Sequence, residues 1–298
     1  MFRHVLDHLK NRLKPLHIVD TDPDTNEIKR YLDQEDRRHY QKQGDDVYSV
    51  TTVIDKLEGD SEGLKWWKKH NNGEGDNANW KHLLEYKKNR GTLAHHAAMA
   101  DQHEQLYNEQ LWSSDETQSL NEIMDRVGDN RFLYSVLADK DWVSTQDQYE
   151  NVIQGEDVFR LDDVLAQDLE FFTQEYESIC DDLGINEDTL EHVEEMFLVP
   201  PNHEHDGYGG QVDLIYRDPA TGGIVVADLK TSSAVRDKHK HQIAAYSKAV
   251  EKLGMYDNVE RGEVIRIHPD SEESEVYEVS DFSQYWSEFA ETTKSMEK

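Results

Sequence analysis

Val225-Val226-Ala227-Asp228-Leu229-Lys230 is the stretch on which the fold turns. Apolar and β-branched residues bounded by turn signals read as a strand. Alternate strand side chains share a face, so Val226, Asp228 and Lys230 point one way and Val225, Ala227 and Leu229 the other. An acid and a lysine ending so apolar a strand are costly unless that face opens into a site. The run before it has the same oddity, with Asp213 inside Val212-Asp213-Leu214-Ile215-Tyr216. Asp218-Pro219-Ala220-Thr221-Gly222-Gly223 separates the two runs and is a strong turn signal. A hairpin would bring Asp213 and Asp228 together, and paired carboxylates repel unless a proton or cation sits between them. Oxygen ligands of this kind suit Mg²⁺ or Mn²⁺. Lys230 could orient or help deprotonate a water and offset developing phosphate charge. The plain alternative is a solvated strand face with Lys230 as a surface ion-pair partner.

Outward from this hairpin, a helix is expected from about Lys238 to Leu253, strands at Glu263–Ile267 and Val276–Val279, and a C-terminal helix. Upstream, residues 115–195 read as a run of helices. The longest is Phe159 to Ile179, whose apolar stripe reads as ordinary core. Another helix should begin at Gly91-Thr92 and carry His95 towards Leu106, with a loop at Asn71-Asn72-Gly73 before it. Tyr48-Ser49-Val50-Thr51-Thr52-Val53-Ile54 starts the ordered core, and residues 1–47 are polar and mostly helical in pattern. The expected class is α/β: a mixed β-sheet flanked by helices, with a large helical section before the sheet.

Composition narrows the setting. Of 298 residues, 36% are hydrophobic and 32% charged, above the roughly 25% charged share of an average globular protein. The net charge is −31, from 63 acidic and 32 basic side chains. An acidic surface repels nucleic acid. Two readings compete: a protein that never meets DNA, and a carboxylate-rich protein kept hydrated in a salt-rich cytoplasm, as in a halophilic host; the spread of acids along nearly the whole chain favours the second. Cys180 is the single cysteine, so no internal disulfide and no four-cysteine iron–sulfur cluster is expected. Residues 1–17 are broken by charges and lack a signal-peptide core, and no stretch approaches the ~20 apolar residues of a membrane span. A cytoplasmic protein without membrane association is expected.

Gly210-Gln211-Val212-Asp213, then Asp228-Leu229-Lys230, then Gln242-Ile243-Ala244-Ala245-Tyr246 resemble the core of PD-(D/E)XK nucleases of the RecB-like branch. That branch carries G-x-x-D, D-x-K and Q-x-x-x-Y in this order, after an upstream G-T-x-x-H that Gly91-Thr92-Leu93-Ala94-His95 matches. Tyr48–Ile54, with Leu64 and Trp67, is similar to the leader of phage-type RecB-like exonucleases, and the resemblance spans about residues 38–253. It implies a restriction-endonuclease-like core. Asp213, Asp228, His95 and the backbone carbonyl of Leu229 would be metal ligands, and Lys230 the catalytic lysine beside Asp213 and Asp228. Gln242 and Tyr246 would support the site and contact DNA. Glu194 or Glu195, in an expected helix before the sheet, resembles an acidic position of some relatives. Unlike iron–sulfur relatives, this chain has Cys180 alone, and without a G-x-x-x-x-G-K-[ST] loop it resembles a stand-alone nuclease. The implied layout is an N-terminal helical extension over 1–47 and a nuclease domain over 48–298. Its helical insertion falls at about 100–190 and its catalytic sheet at about 195–280.

Residues 65–90 hold seven basic against three acidic side chains, including Lys65, Lys68 and Lys69, interleaved with Trp66, Trp67, Trp80 and Tyr86. A second basic stretch holds Lys230, Arg236, Lys238 and Lys240 against Asp237. Together they could form a track for DNA, as single strands or duplex ends, with the aromatics stacking on bases. An ordinary solvated face is the competing reading. His96 reads as structural, His239 and His241 as surface or DNA-proximal residues, and His203 with His205 as an H-x-H zinc candidate that lacks an evident third ligand. The expected activity is metal-dependent exonucleolytic hydrolysis of DNA in replication, recombination or repair, alongside proteins of those processes and in a viral setting. A structure-specific endonuclease and a catalytically silent DNA-binding or assembly factor are the alternatives.

Overall fold

The computed structural model describes residues 28–33, 37–59, 65, 87, 90–91, 94–95, 98–99, 161–269 and 271–296. Three short strands come first: β1 (Lys29–Leu32), β2 (Arg38–Lys42) and β3 (Asp45–Tyr48). Helices α1 (Val50–Glu58) and α2 (Leu161–Leu183) follow. Then come β4 (Leu190–Val199), β5 (Tyr208–Arg217), β6 (Ile224–Lys230) and α3 (Asp237–Lys252). Strands β7 (Val259–His268) and β8 (Glu273–Val279) and helix α4 (Ser283–Lys294) complete the order.

The expected hairpin forms, and it makes the second and third strands of a five-stranded sheet ordered β4-β5-β6-β7-β8. β4, β5 and β6 run antiparallel in turn, β6 and β7 are parallel, and β8 returns antiparallel. A parallel pair needs a crossover rather than a tight turn, and α3 supplies it. Residues Ile224–Leu229 are all buried, as a central strand covered on both faces requires. Ile243, Ala244, Ala245, Ala249 and Val250 of α3 pack with Val226, Val264 and Phe289 of α4 in the main core. The mixed α/β fold, a sheet flanked by helices, therefore agrees with the sequence reading.

Two expectations are corrected. Over residues 29–48 the chain forms an antiparallel three-stranded sheet, order β1-β2-β3, where a helical extension was expected. Gln43 and Gly44, both at positive φ (51° and 96°), make the two-residue turn that suits a hairpin's twist. Only Tyr40 and Val47 of β2 and β3 are buried, so an alternation this sparse is hidden among charges. The second correction is that Glu194 and Glu195 lie on β4, not on a helix. Two adjacent acids look like a helix surface, but the residues after them, from Met196 to Val199, pair with β5 from Gln211 to Tyr208.

The small sheet docks on the large one. Ser49 bridges to Gly209, and a Cβ at Gly209 would fall 2.5 Å from Tyr40, so only glycine lets that ring lie on β5. Ser49 then caps α1 by accepting the Thr52 N–H at 3.0 Å. Residues 1–27 and 100–160, and with them most of the expected helical insertion, lie outside the described residues.

Candidate active site

The β5–β6 ladder runs from Arg217↔Ile224 to Leu214↔Ala227 and ends there. The next pair in register is Asp213 and Asp228. Asp213 Oδ2 accepts the Leu229 N–H at 2.6 Å, so a side chain takes over the amide as the ladder stops. Asp228, 1% exposed, uses both oxygens: Oδ1 accepts from Gln242 Nε2 at 3.0 Å, and Oδ2 faces Lys230 Nζ. Gln242 Nε2 also donates to Tyr246 Oη at 2.7 Å, one helical turn along α3. Gly210 has a steric reason to be glycine. A Cβ there would sit 2.6 Å from the Phe197 ring and 2.9 Å from that of Tyr246.

His95 comes from the other half of the chain. Arg90, Gly91, Ala94, His95, Ala98 and Met99 are helical. Buried Arg90 pairs with Asp168 of α2 at 2.7 Å, and the Tyr176 hydroxyl lies 4.0 Å from Met99 Sδ. The His95 ring lies near-parallel to Phe172, centroids 6.4 Å apart. These contacts aim His95 Nδ1 at Asp213 Oδ2, 3.5 Å away. Glu194 completes the group: donor atoms of His95, Glu194 and Asp213 all lie within 4.8 Å of one another. Its backbone is left-handed, φ 52°, between the paired residues Val193 and Glu195. Such a conformation costs a non-glycine residue on the order of 1 kcal/mol and is concentrated at functional sites.

Electrostatics suit a cation. Burial, followed by the Lys230 charge, holds His95 down at about 4, so its ring is neutral at pH 7. A hydrogen bond to the Leu229 backbone opposes this, which puts the expected carbonyl ligand at the same place. Burial pushes Asp228 up to about 6 against the pull of Lys230, with Asp213 adding to the rise. Burial raises Asp213 too, again against Lys230 and the Leu229 N–H. One lysine therefore leaves two buried carboxylates under-compensated. A neutral imidazole and hard oxygens at this spacing fit a divalent cation such as Mg²⁺ or Mn²⁺.

The sequence-derived residues thus meet as follows. His95, Asp213, Asp228, Leu229, Lys230, Gln242 and Tyr246 converge. Glu194 joins His95 and Asp213 of this set as the close donor group, while Asp228 is engaged by Gln242 and Lys230. Sequence alone did not separate Glu194 from Glu195; Glu195 instead meets His192 at 3.2 Å. Local pattern gave no signal for Glu194, because the first six residues of β4, Leu190 to Glu195, include three acids and a histidine. Lys65 is helical and exposed, whereas Trp66, Trp67, Lys68 and Lys69 lie outside the described residues. Arg236 and Lys238 are exposed at the start of α3. Lys240 is held by Asp237 at 3.0 Å and lies over the rings of Tyr277 and Tyr285.

A model of the PD-(D/E)XK nuclease superfamily matches residues 70–298, most of the chain and all of the site just described. The chain belongs to that superfamily, and its mixed α/β fold is consistent with a nuclease of it. Among solved structures, one titled "Crystal structure of SSO0001" is similar at 19% identity, covering 51% of this chain and 70% of that one. Its TM-score is 0.29, too low to bear on function. A comparison with curated proteins gave no match.

Proposed function

We propose that this chain is a divalent-metal-dependent exonuclease that hydrolyses DNA phosphodiesters. The observation that carries the reading is the group of His95, Glu194 and Asp213 beside the Asp228–Lys230 pair, on a chain of the nuclease superfamily. His95, Glu194 and Asp213 would hold the cation, with Asp228 and the Leu229 carbonyl completing its surroundings. A divalent cation held by these residues would supply Lewis-acid polarisation of the phosphate and a lowered pKa for the attacking water.

The chain's own groups do the rest. Neutral His95 offers a lone pair at any pH above about 4. Gln242 fixes the Asp228 carboxylate by one oxygen and leaves the other towards Lys230. Lys230 Nζ brings a positive charge to the mouth of the site, where the phosphate gains negative charge as water adds and the P–O bond breaks. Tyr246 anchors Gln242 and lines the same cleft. The spread of acidic charge supports work in a salt-rich cell interior, and the likeness of Tyr48–Ile54 to the leader of phage-type exonucleases supports a role in replication, recombination or repair.

The test is incubation with labelled linear DNA and with closed circular single-stranded DNA, in Mg²⁺, Mn²⁺ or a chelator. The expected outcome is metal-dependent loss of linear DNA with circles intact. Cut circles would make it an endonuclease on the same core. Binding without cutting would make it a silent DNA-binding factor.

A further inference from the structure

The cleft over the candidate site has two walls. Gly210, Gln242 and Tyr246 belong to one, and Arg38, Tyr40 and Thr51 to the other. The second wall lies outside residues 70–298, the stretch matched by the nuclease family model. It is nevertheless firmly built. The Arg38 carbonyl accepts from Ser49 N at 2.8 Å and from Thr52 Oγ1 at 3.2 Å. The Arg38 N–H in turn donates to Thr52 Oγ1 at 3.2 Å. Tyr40, two residues on, is fixed over Gly209.

We propose that this N-terminal wall is a second phosphate seat, which holds the substrate strand one or more nucleotides from the scissile bond through Arg38 and Thr51. The proposal rests on the nuclease reading above. In a chain with 63 acids and 32 bases, the Arg38 guanidinium has no carboxylate partner among the described residues, and Arg38 is one of the residues that line the cleft of the metal group. The acids of that cleft, Glu194 and Asp213, are the candidate cation ligands, whose charge a bound cation would offset. A guanidinium is suited to bidentate contact with phosphate. Thr51 Oγ1 touches Ser49 Oγ at 2.9 Å and has hydrogen-bonding capacity left on the cleft side. Groups of this kind fix the register of a strand without reading its bases. Lys230 is occupied by Asp228 at the reacting centre. Arg38 therefore acts as a positioning residue on a neighbouring phosphate of the same strand.

The experiment compares wild type, Arg38→Gln and Thr51→Val, the last chosen because it keeps the side-chain shape. Cleavage of a labelled single-stranded oligonucleotide in Mn²⁺ is followed at four KCl concentrations. Arg38→Gln should raise KM about tenfold at low salt with kcat within about twofold, and Thr51→Val should raise it about threefold. For Arg38→Gln the slope of log KM against log salt should become shallower by about 0.7, the value for one lost single-strand phosphate contact. Metal-induced thermal shifts of both variants should match wild type. Unchanged KM and slope in variants that melt normally would overturn the seat while leaving the nuclease reading intact. So would a fall in kcat at constant KM. If Arg38→Gln melts early, Thr51→Val decides, and an unchanged KM there overturns the proposal. A wild-type protein that neither binds nor cuts the oligonucleotide would overturn the nuclease reading itself.

Discussion

Asp228 is stabilised as an anion by one lysine and destabilised by burial, and burial prevails. Its pKa in the fold, about 6, lies above the ordinary 3.8. Its contribution to stability is therefore full below pH 3.8 and is lost as pH rises through about 6. At pH 8 without metal, Asp228→Asn should consequently melt at or above the wild-type temperature, while nuclease activity falls at least about a hundredfold. Calorimetry and an oligonucleotide assay check the two halves, and full activity in the variant would refute the mechanism. A cation competes with that same proton. The metal-induced rise in melting temperature should be full above pH 7 and shrink as pH falls through about 6. His95, titrating near 4, should limit it only below that. A melting series at pH 5, 6, 7 and 8 with Mn²⁺ measures this, and a pH-independent shift would show that Asp228 does not sense the metal. Glu194 offers a cleaner separation of stability from function. Glu194→Gly removes the cost of a left-handed backbone at φ 52° and should add up to about 1 kcal/mol of stability. Metal affinity, measured by titration calorimetry, should drop about 10- to 100-fold.

At the scale of elements, the helical segment with His95 reaches the sheet through its attachment to α2. Arg90 and Asp168 form a buried ion pair across that attachment. Removing one partner of a buried pair costs about 3–5 kcal/mol, because it strands the other charge. Arg90→Met should therefore lose stability on that scale in urea titration and lose activity by displacing His95. A stable, active variant would show that the pair does not orient the helix. This segment also marks what the sequence could disclose. The β5–β6 hairpin and α3 were legible because Asp218–Gly223 announces a turn and the flanking strands are nearly all apolar. His95 was legible only by resemblance, since no local pattern joins residue 95 to residue 213. β1, β2 and β3 were not legible. Only Tyr40 and Val47 of β2 and β3 are buried, and the charges around them carry no period of their own. Glu194 was half legible, because choosing it over Glu195 depends on a backbone turn that alternation does not foretell.

For the whole molecule, charge and connectivity set the terms. A net −31 must still admit a polyanion, so a divalent ion in the cleft should matter for binding as well as for chemistry. Wild-type affinity for an oligonucleotide, measured by fluorescence anisotropy, should fall by at least about tenfold in a chelator. Equal affinity with and without metal would place the strand elsewhere. The parallel pairing of β6 with β7 has a consequence for how the protein is made. During synthesis β6 leaves the ribosome before the strand that covers its open edge and before the α3 glutamine that grips Asp228. Until Val259–His268 has emerged, the β6 edge that carries Asp228 and Lys230 stays open to water. A nascent chain that stops short of β7 therefore lacks the burial that raises the pKa of both acids, and the site reaches its final electrostatic state only when the sheet closes.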